Sequence, residues 1–293
     1  MILITGATGH LGNATIDSLL KKGINPSMVS AFIRDEAKAI SLKERGINLV
    51  KGDFEDYQSL LLAFKNVDTL FFVSSSDIFK RQEQHENVIR AAKEVGVRRI
   101  VFTSVTRKSE DGSSAITALT SSLISTEKMI KEGGFTYTLL KNPLYADVLP
   151  LFLGADVLTN GVFLPTENGK ASFVTREDLG EAAAEVLMGT SHDGKEYILA
   201  NEVNYSFQDV ADILSSLLGK TISYNSPSVE AYTQILVQAG VPAENIIGLV
   251  SFLKAIKQGE FQTDHTDLPV LLGRKPTSLS SYLNTVYFKD KNI

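Results

Sequence analysis

The first two dozen residues constrain this chain more than any other stretch. Ile2, Leu3 and Ile4 form a short continuous apolar run, the mark of a strand buried on both faces. Gly6, Gly9 and Gly12 follow at three-residue spacing. Leu11, Ile16, Leu19 and Leu20 then recur with helical periodicity as far as Lys22-Gly23, a stop signal. A strand that runs through a glycine turn into a helix sets backbone N–H groups at the helix N-terminus, where the macrodipole favours a diphosphate. The three glycines serve separate purposes, namely a bend without a Cβ penalty, close approach of backbone to phosphate, and close packing of helix on strand. The spacing alone is weak evidence. In its strand–turn–helix setting it predicts a dinucleotide site.

The alternation continues. Val29–Ile33, Ile47–Val50, Thr69–Val73, Ile100–Thr103 and Tyr137–Leu140 read as further buried strands. Helical runs separate them: one through Ala37, Ile40 and Leu42, one from Leu60 to Phe64 with Asp56 placed to cap it, one through Val88 and Val95, and one ending near Gly133-Gly134. This pattern predicts an α/β fold, a doubly wound parallel sheet of the Rossmann kind, with a ligand crevice at the carboxyl ends of the strands. Beyond Asn142 the pattern loosens. Gly161–Pro165 and Ala171–Val174 look like short strands around a turn at Glu167-Asn168-Gly169, and a strong helix runs from Arg176 to Met188. Tyr197–Ala200 reads as a seventh strand returning to the main sheet, and Ser206-Phe-Gln-Asp209 as a capping-box variant. Further helices follow over Val229–Ala239 and Glu244–Lys257. The predicted division is residues 1–145 and 175–201 as the dinucleotide-binding domain, with 146–174 and 202–293 as a smaller, mostly helical substrate lobe.

Composition removes several function classes. The chain has no cysteine, which excludes disulfides, thiolate catalysis and Cys-ligated metals. Its four histidines form no HxxxH or HExxH pair, so no metal site is expected. A formal charge of −5 argues against a nucleic-acid or anionic-membrane partner. Neither a signal peptide nor a membrane-spanning run is recognisable, so a cytoplasmic location is the default expectation.

The residues that carry chemistry stand at the predicted strand ends. Arg34 follows the second strand, where an NAD-specific site would place a carboxylate for the ribose hydroxyl, and a guanidinium there binds a 2′-phosphate. Lys38 adds a second positive charge; with Asp35 and Glu36 beside them, the alternative is a solvated charge cluster. Asp53-Phe54 closes the third strand and is placed to flank an adenine, with Asp53 as a helix cap the alternative. Ser74, Ser75 and Ser76 end the fourth strand beside the expected nicotinamide ribose, and Thr103-Ser104 end the fifth near the expected reactive ring. The cofactor expected is NADP(H).

Taken together, Gly6-Ala-Thr-Gly-His-Leu-Gly12, Phe32-Ile-Arg34, Gly52-Asp-Phe54, Gln84-His-Glu-Asn-Val88, Thr126-Glu-Lys128 and Leu140-Lys-Asn-Pro-Leu-Tyr145 resemble the NmrA-like atypical short-chain dehydrogenases. Within that family the chain is most similar to the bacterial type 2 NAD(P)H:quinone oxidoreductases and triphenylmethane reductases. The resemblance continues through Val174-Thr-Arg-Glu-Asp178 and Asp267-Leu-Pro-Val-Leu-Leu-Gly273, so it spans essentially the whole chain. It implies Gly6, Thr8, Gly9, His10, Leu11 and Gly12 at the diphosphate, Arg34 at the 2′-phosphate, Asp53 and Phe54 at adenine, and Ser74 to Ser76 along the ribose. It also implies Lys141, Asn142 and Tyr145 near the nicotinamide and a small aromatic or quinone substrate; a homodimer is compatible with such a chain.

The departures matter as much. Typical short-chain dehydrogenases use a Tyr-xxx-Lys pair, and the matching segment here is Leu123-Ile-Ser-Thr-Glu127, with neither residue in place. The similar quinone and dye reductases usually carry a histidine where Leu123 stands. Candidate acids that remain are Ser104, Lys128, Lys141 and Tyr145; Lys128 reads better as a solvated helix face, and Tyr145 reads equally as an aromatic wall. His85, central in its helix, reads as a packing or hydrogen-bonded histidine. Two function classes follow: a reductase passing hydride from NADPH to a quinone or similar flat conjugated acceptor, or a redox-sensing binding protein that responds to NADP(H) without turnover. For either, NADPH should bind more tightly than NADH, and Arg34→Ala should remove most of the difference. A charge-assisted contact to phosphate is worth on the order of 1.5–3 kcal/mol, roughly a ten- to hundredfold change in Kd. Superimposable titrations of the parent protein with the two cofactors would refute the assignment.

Overall fold

The apolar runs form the strands of one sheet. The computed structural model describes residues 1–288, so residues 289–293 of the expected second lobe lie outside it. Strands β1 (Ile2–Ile4), β2 (Val29–Ile33), β3 (Asn48–Lys51), β4 (Thr69–Phe72), β5 (Arg99–Val105), β6 (Thr136–Asn142) and β7 (Lys195–Ile198) lie in the order β7-β6-β5-β4-β1-β2-β3. Every pairing is parallel, with Ile4 opposite both Ala31 and Phe71. After β3 the chain crosses to the far side of β1, so the order reverses between β1 and β4, where a crevice opens. β5 and β6 run on past their apolar stretches to Val105 and Asn142, because polar Ser104 and Lys141 stay in the hydrogen-bonded ladder.

Helices cover both faces of this sheet: α1 (His10–Lys21), α2 (Ile40–Glu44), α3 (Tyr57–Ala63), α4 (Arg81–Glu94), α5 (Thr117–Glu132) and α6 (Arg176–Met188). Leu11, Ile16 and Leu19 of α1 meet Leu179, Ala183 and Val186 of α6 on one face. Leu60, Phe64, Val88, Ala92 and Ile130 fill the other. Asp56 caps α3 by accepting from the Ser59 amide at 3.2 Å, as its position predicts. Ser206 and Asp209 form both arms of the predicted capping box on the helix Phe207–Leu218.

A third cluster of buried residues gathers Leu149, Val162, Phe173, Phe207, Leu253 and Phe261. The helices Val229–Gln238, Ala243–Lys257 and Leu279–Phe288 also belong to this part of the chain, whereas Leu268, Leu271 and Leu272 pack on the sheet cluster beside α6. The short strands around Glu167-Asn168-Gly169 are not partners of each other. Val162–Phe163 pairs with Tyr224–Asn225, Lys170–Ala171 with Tyr205–Ser206, and Phe173–Val174 with Leu144–Tyr145. Gly169 is pressed against the end of a helix: a Cβ there would lie 2.5 Å from Lys257 Cα. The Tyr224 hydroxyl donates to Glu167 O at 2.8 Å. Held from two sides, the turn sends its flanking segments apart. Among the described residues no helix is long and apolar enough to cross a membrane.

α1 and α6 touch backbone to backbone at Gly180, where a Cβ would fall 2.7 Å from the Ala14 carbonyl carbon and 2.8 Å from Thr15 N. Gly180→Val should therefore force the helices apart and cost about 1–3 kcal/mol. The expected reading is a lower urea midpoint at an unchanged m-value; an unchanged midpoint would show that the contact yields freely.

Candidate active site

All seven strands point the same way, so the residues after their carboxyl ends share one edge. Gly6 bends there with φ +60°, a conformation that favours glycine. A Cβ on Gly12 would lie 2.8 Å from Ala7 Cα and closer still to Gly6 O, so this glycine seats the helix on the turn. Gly9 N donates to Gly6 O, and Asn13 N donates to Gly9 O, each at 2.9 Å. The amides of His10, Leu11 and Gly12 therefore have no intrahelical acceptor. The cap, Gly9, brings no side chain, and the first turn of α1 holds no acidic residue. Thr8, Gly9 and His10 are exposed. A bare, positively polarised helix end with an open backbone approach fits a diphosphate.

Arg34 and Lys38 are exposed beyond β2, and neither has an ion-pair partner among the described residues. Asp35 does not neutralise them; it turns back to accept from the Ala37 amide at 2.9 Å. Asp53 Oδ1 accepts from Glu55 N at 3.0 Å, forming a local turn, while the capping role falls to Asp56. Phe54 stacks on Phe32 with centroids 5.5 Å apart and meets Phe72 edge-on at 5.8 Å, so the half-buried ring is braced by core aromatics.

The serine loop after β4 is held by side chains from two directions. Thr103 Oγ1 accepts from Ser74 N at 2.9 Å, which makes Thr103 an anchor of the loop. From α4, His85 Nε2 accepts from Ser75 N at 3.0 Å, Gln84 Oε1 accepts from the Ser75 hydroxyl at 2.5 Å, and Arg81 Nε donates to Ser75 O at 2.8 Å. Ser76 stays exposed. The same helix reaches the loop after β3: Gln84 Nε2 donates to Glu55 Oε1 at 3.1 Å and Asn87 Nδ2 to Phe54 O at 3.0 Å. The run Gln84-His-Glu-Asn-Val88 is thus a brace for two cofactor-edge loops. Its order is visible in sequence; the roles of Arg81, Gln84 and Asn87 are not, because polar side chains on a helix ordinarily face water.

The candidate acids are largely engaged. The Ser104 hydroxyl is hydrogen-bonded to Glu127, whose carboxylate is gripped by Arg107 through bonds of 2.8 and 2.9 Å. Glu127, which matches the lysine of the typical Tyr-xxx-Lys pair in sequence, is 4% exposed and forms a buried ion pair with Arg107. Lys141 Nζ lies 2.8 Å from Glu196, which also binds Lys131 at 2.5 Å. Burial opposes the charge on Glu196, yet these two lysines hold its carboxyl below the usual range. Lys128 is exposed and 3.9 Å from Glu132, a solvated helix face. Burial holds the Tyr145 phenol above its usual pKa. Its oxygen accepts from Asn142 Nδ2 at 3.3 Å, and the Arg176 guanidinium lies 4.2 Å over its ring. Asn142 Oδ1 is buried without a partner, an open acceptor at the end of β6.

His85 is fully buried between Ser75 N and Thr126 Oγ1, the latter at 2.8 Å. Thr126 donates its hydroxyl to Ser122 O, so His85 Nδ1 carries the proton and Nε2 accepts. Burial, aided by repulsion from Arg81, pushes its pKa down to about 3 from 6.5. Between those values the unfolded chain binds the extra proton. Stability from this site is therefore complete above pH 6.5 and is lost as pH falls toward 3. The urea-derived stability should drop by up to about 1.4 kcal/mol per pH unit over the upper part of this window. His85→Gln should flatten that slope; an identical slope in the variant would assign it elsewhere.

Comparison with known proteins places this geometry. The NmrA-like family model matches residues 1–283. Quinone oxidoreductase 2 of Escherichia coli is 34% identical over 98% of this chain and 99% of its own length. The structure of the E. coli NADPH-dependent quinone oxidoreductase QOR2 complexed with NADPH superposes with TM-score 0.91 at 32% identity, covering 98% of this chain and 100% of that one. The Citrobacter sp. triphenylmethane reductase complexed with NADP(H) gives TM-score 0.90 at 33% identity, covering 97% and 99%. A bare glycine turn on a parallel sheet, an arginine after β2 without an ion-pair partner among the described residues, and similarity over nearly all of the 293 residues agree: this chain belongs to the NmrA-like family.

Proposed function

We propose that this protein is an NADPH-dependent reductase that delivers hydride to a quinone or similar flat conjugated acceptor. The observation that supports this reading is a bare glycine turn with an exposed Arg34 at the strand ends, beside Leu123 and the ion-paired Glu127 in place of the proton-donating pair of typical short-chain dehydrogenases. The amides of His10, Leu11 and Gly12, with Thr8, would hold the diphosphate. Arg34 and Lys38 would hold the 2′-phosphate, Asp53 and Phe54 the adenine, and Ser74 to Ser76 the ribose, with Thr103 fixing that loop. Asn142, through its unpartnered Oδ1, and Tyr145 would border the nicotinamide. Bound NADPH supplies a hydride carrying two electrons.

The chain's own residues bind and orient. Ser104 and Lys141 are held by Glu127 and Glu196, and Tyr145 remains a neutral, hydrogen-bonded phenol. General acid catalysis typically contributes about 10²–10⁴ in rate, and reduction of a simple ketone, which builds charge on an alkoxide, needs it. A quinone does not: its product anion is delocalised and takes a proton from water later. Proximity and orientation over the Thr103-Ser104 strand end then suffice. Residues 146–174 and 202–293 would form the acceptor lobe. The named activities of the quinone and dye reductases support this reading.

Purified protein should oxidise NADPH in the presence of quinones and show no turnover with simple aliphatic ketones. Substitution of Lys128 should change little, whereas Tyr145→Ala should raise KM more than it lowers kcat. Efficient reduction of an unactivated ketone would expose an acid this scheme lacks. Tight NADPH binding with no turnover on any conjugated acceptor would identify a redox sensor instead.

A further inference from the structure

Arg81 is set apart from the other arginines. Among the described residues five arginines are half-buried, and four have a carboxylate: Arg45 with Asp17, Arg99 with Asp193, Arg107 with Glu127 and Arg176 with Asp147. Arg81 has none. Its Nε donates to Ser75 O at 2.8 Å and its Nη1 to Leu119 O at 2.9 Å. The guanidinium therefore spans from the serine loop after β4 to the first turn of α5. Leu119 packs against the cluster of the second lobe, so the bridge lies where the sheet edge meets that lobe. Among the described residues Nη2 makes no hydrogen bond, and it is not fully buried, so its N–H groups remain accessible. Tyr145 and Asp77 are within electrostatic reach, and burial works against the charge. Asp77 is turned to the Phe79 and Lys80 amides, each at 3.1 Å.

A cation with no carboxylate in contact, and Asp77 acting only at longer range, keeps a net positive field at this edge. Hydride arrival lowers the charge of any acceptor by one. A neutral quinone becomes an aryloxide anion, whose transition state carries developing negative charge; a cationic dye becomes neutral, and its transition state keeps residual positive charge. A fixed guanidinium lowers the first transition state and raises the second, relative to the free reactants.

Building on the reductase reading above, we propose that Arg81 is a specificity-determining residue whose open guanidinium edge contacts the acceptor oxygen that becomes anionic, so that the site selects neutral or anionic quinone-type acceptors over cationic dyes. The redox balance is simple. A hydride from NADPH, carrying both electrons, bonds to one carbonyl oxygen of the quinone, the ring π electrons shift so that the other carbonyl oxygen becomes an aryloxide, NADP⁺ is left behind, and water supplies the remaining proton after release.

The test uses the full-length protein and Arg81→Gln, with Arg81→Lys as the charge-retaining control. Arg81→Gln should lower kcat/KM for a neutral naphthoquinone about tenfold or more and raise kcat/KM for a cationic triphenylmethane dye. Arg81→Lys should retain the parent preference. Binding supplies a readout free of turnover. By calorimetry with NADP⁺ present, the parent protein should bind an ionised hydroxynaphthoquinone more tightly than the unsubstituted quinone and far more tightly than the dye, and Arg81→Gln should erase that order. Parallel losses for quinone and dye would mark Arg81 as a loop anchor only and overturn the proposal, as would unchanged kinetics in Arg81→Gln. If Arg81→Gln fails to fold, the binding order in the parent protein decides: equal affinities, or preference for the dye, would overturn it. Absence of all turnover with the binding order intact would defeat the reductase reading and leave the recognition by Arg81 standing.

Discussion

β1 is only three residues long, yet it pairs with β2 on one side and β4 on the other, and the crevice depends on that double attachment. Its next residue, Thr5, extends the connection with its side chain. The hydroxyl accepts from Val73 N at 2.8 Å and lies 3.2 Å from Val73 O, while Thr5 N donates to Phe71 O. These bonds fix the end of β1 against the end of β4. A Cβ on Gly6 would lie 3.2 Å from the Val73 side chain, so the glycine permits both the positive φ and the close approach of the two strand ends. The diphosphate turn and the serine loop are therefore positioned by one strand junction.

Much of this architecture is legible in the order of the residues. A doubly wound sheet follows from buried strands alternating with helices, since a parallel ladder needs crossovers and covered faces. The glycine turn and Arg34 are readable because local backbone geometry and charge determine their roles. The fates of Ser104 and Lys141 are not. Their partners, Glu127 and Glu196, are 23 and 55 residues away in sequence, and a side chain's engagement depends on what the fold brings beside it. The short strands around Glu167-Asn168-Gly169 are legible, but their partners are not, because contacts to Tyr224 and Lys257 hold the turn and send each strand to a distant segment.

α4 shows how a polar helix face can be structural. Gln84, His85 and Asn87 sit on its inner side and satisfy backbone and side-chain groups of two loops that have no regular partners of their own. Burying an imidazole is tolerable here because both ring nitrogens are matched and the ring stays uncharged. Arg107, by contrast, stays charged against the cost of burial because Glu127 and Glu110 raise its pKa. The edge thus combines a neutral buried brace with a charged one.

That charged brace also resists substitution. Grafting the missing pair would mean a tyrosine at Leu123 and a lysine at Glu127. The new ammonium would then face the guanidinium of Arg107, whose side chain is 3% exposed, and among the described residues only the exposed Glu110 at 2.6 Å would be left to balance both. Two buried cations in one recess would repel, and one would lose its charge or the segment would open. With this core, those two substitutions alone do not install a working pair; Arg107 must change with them. A preference for acceptors that need no acid is in this sense held in place by a salt bridge.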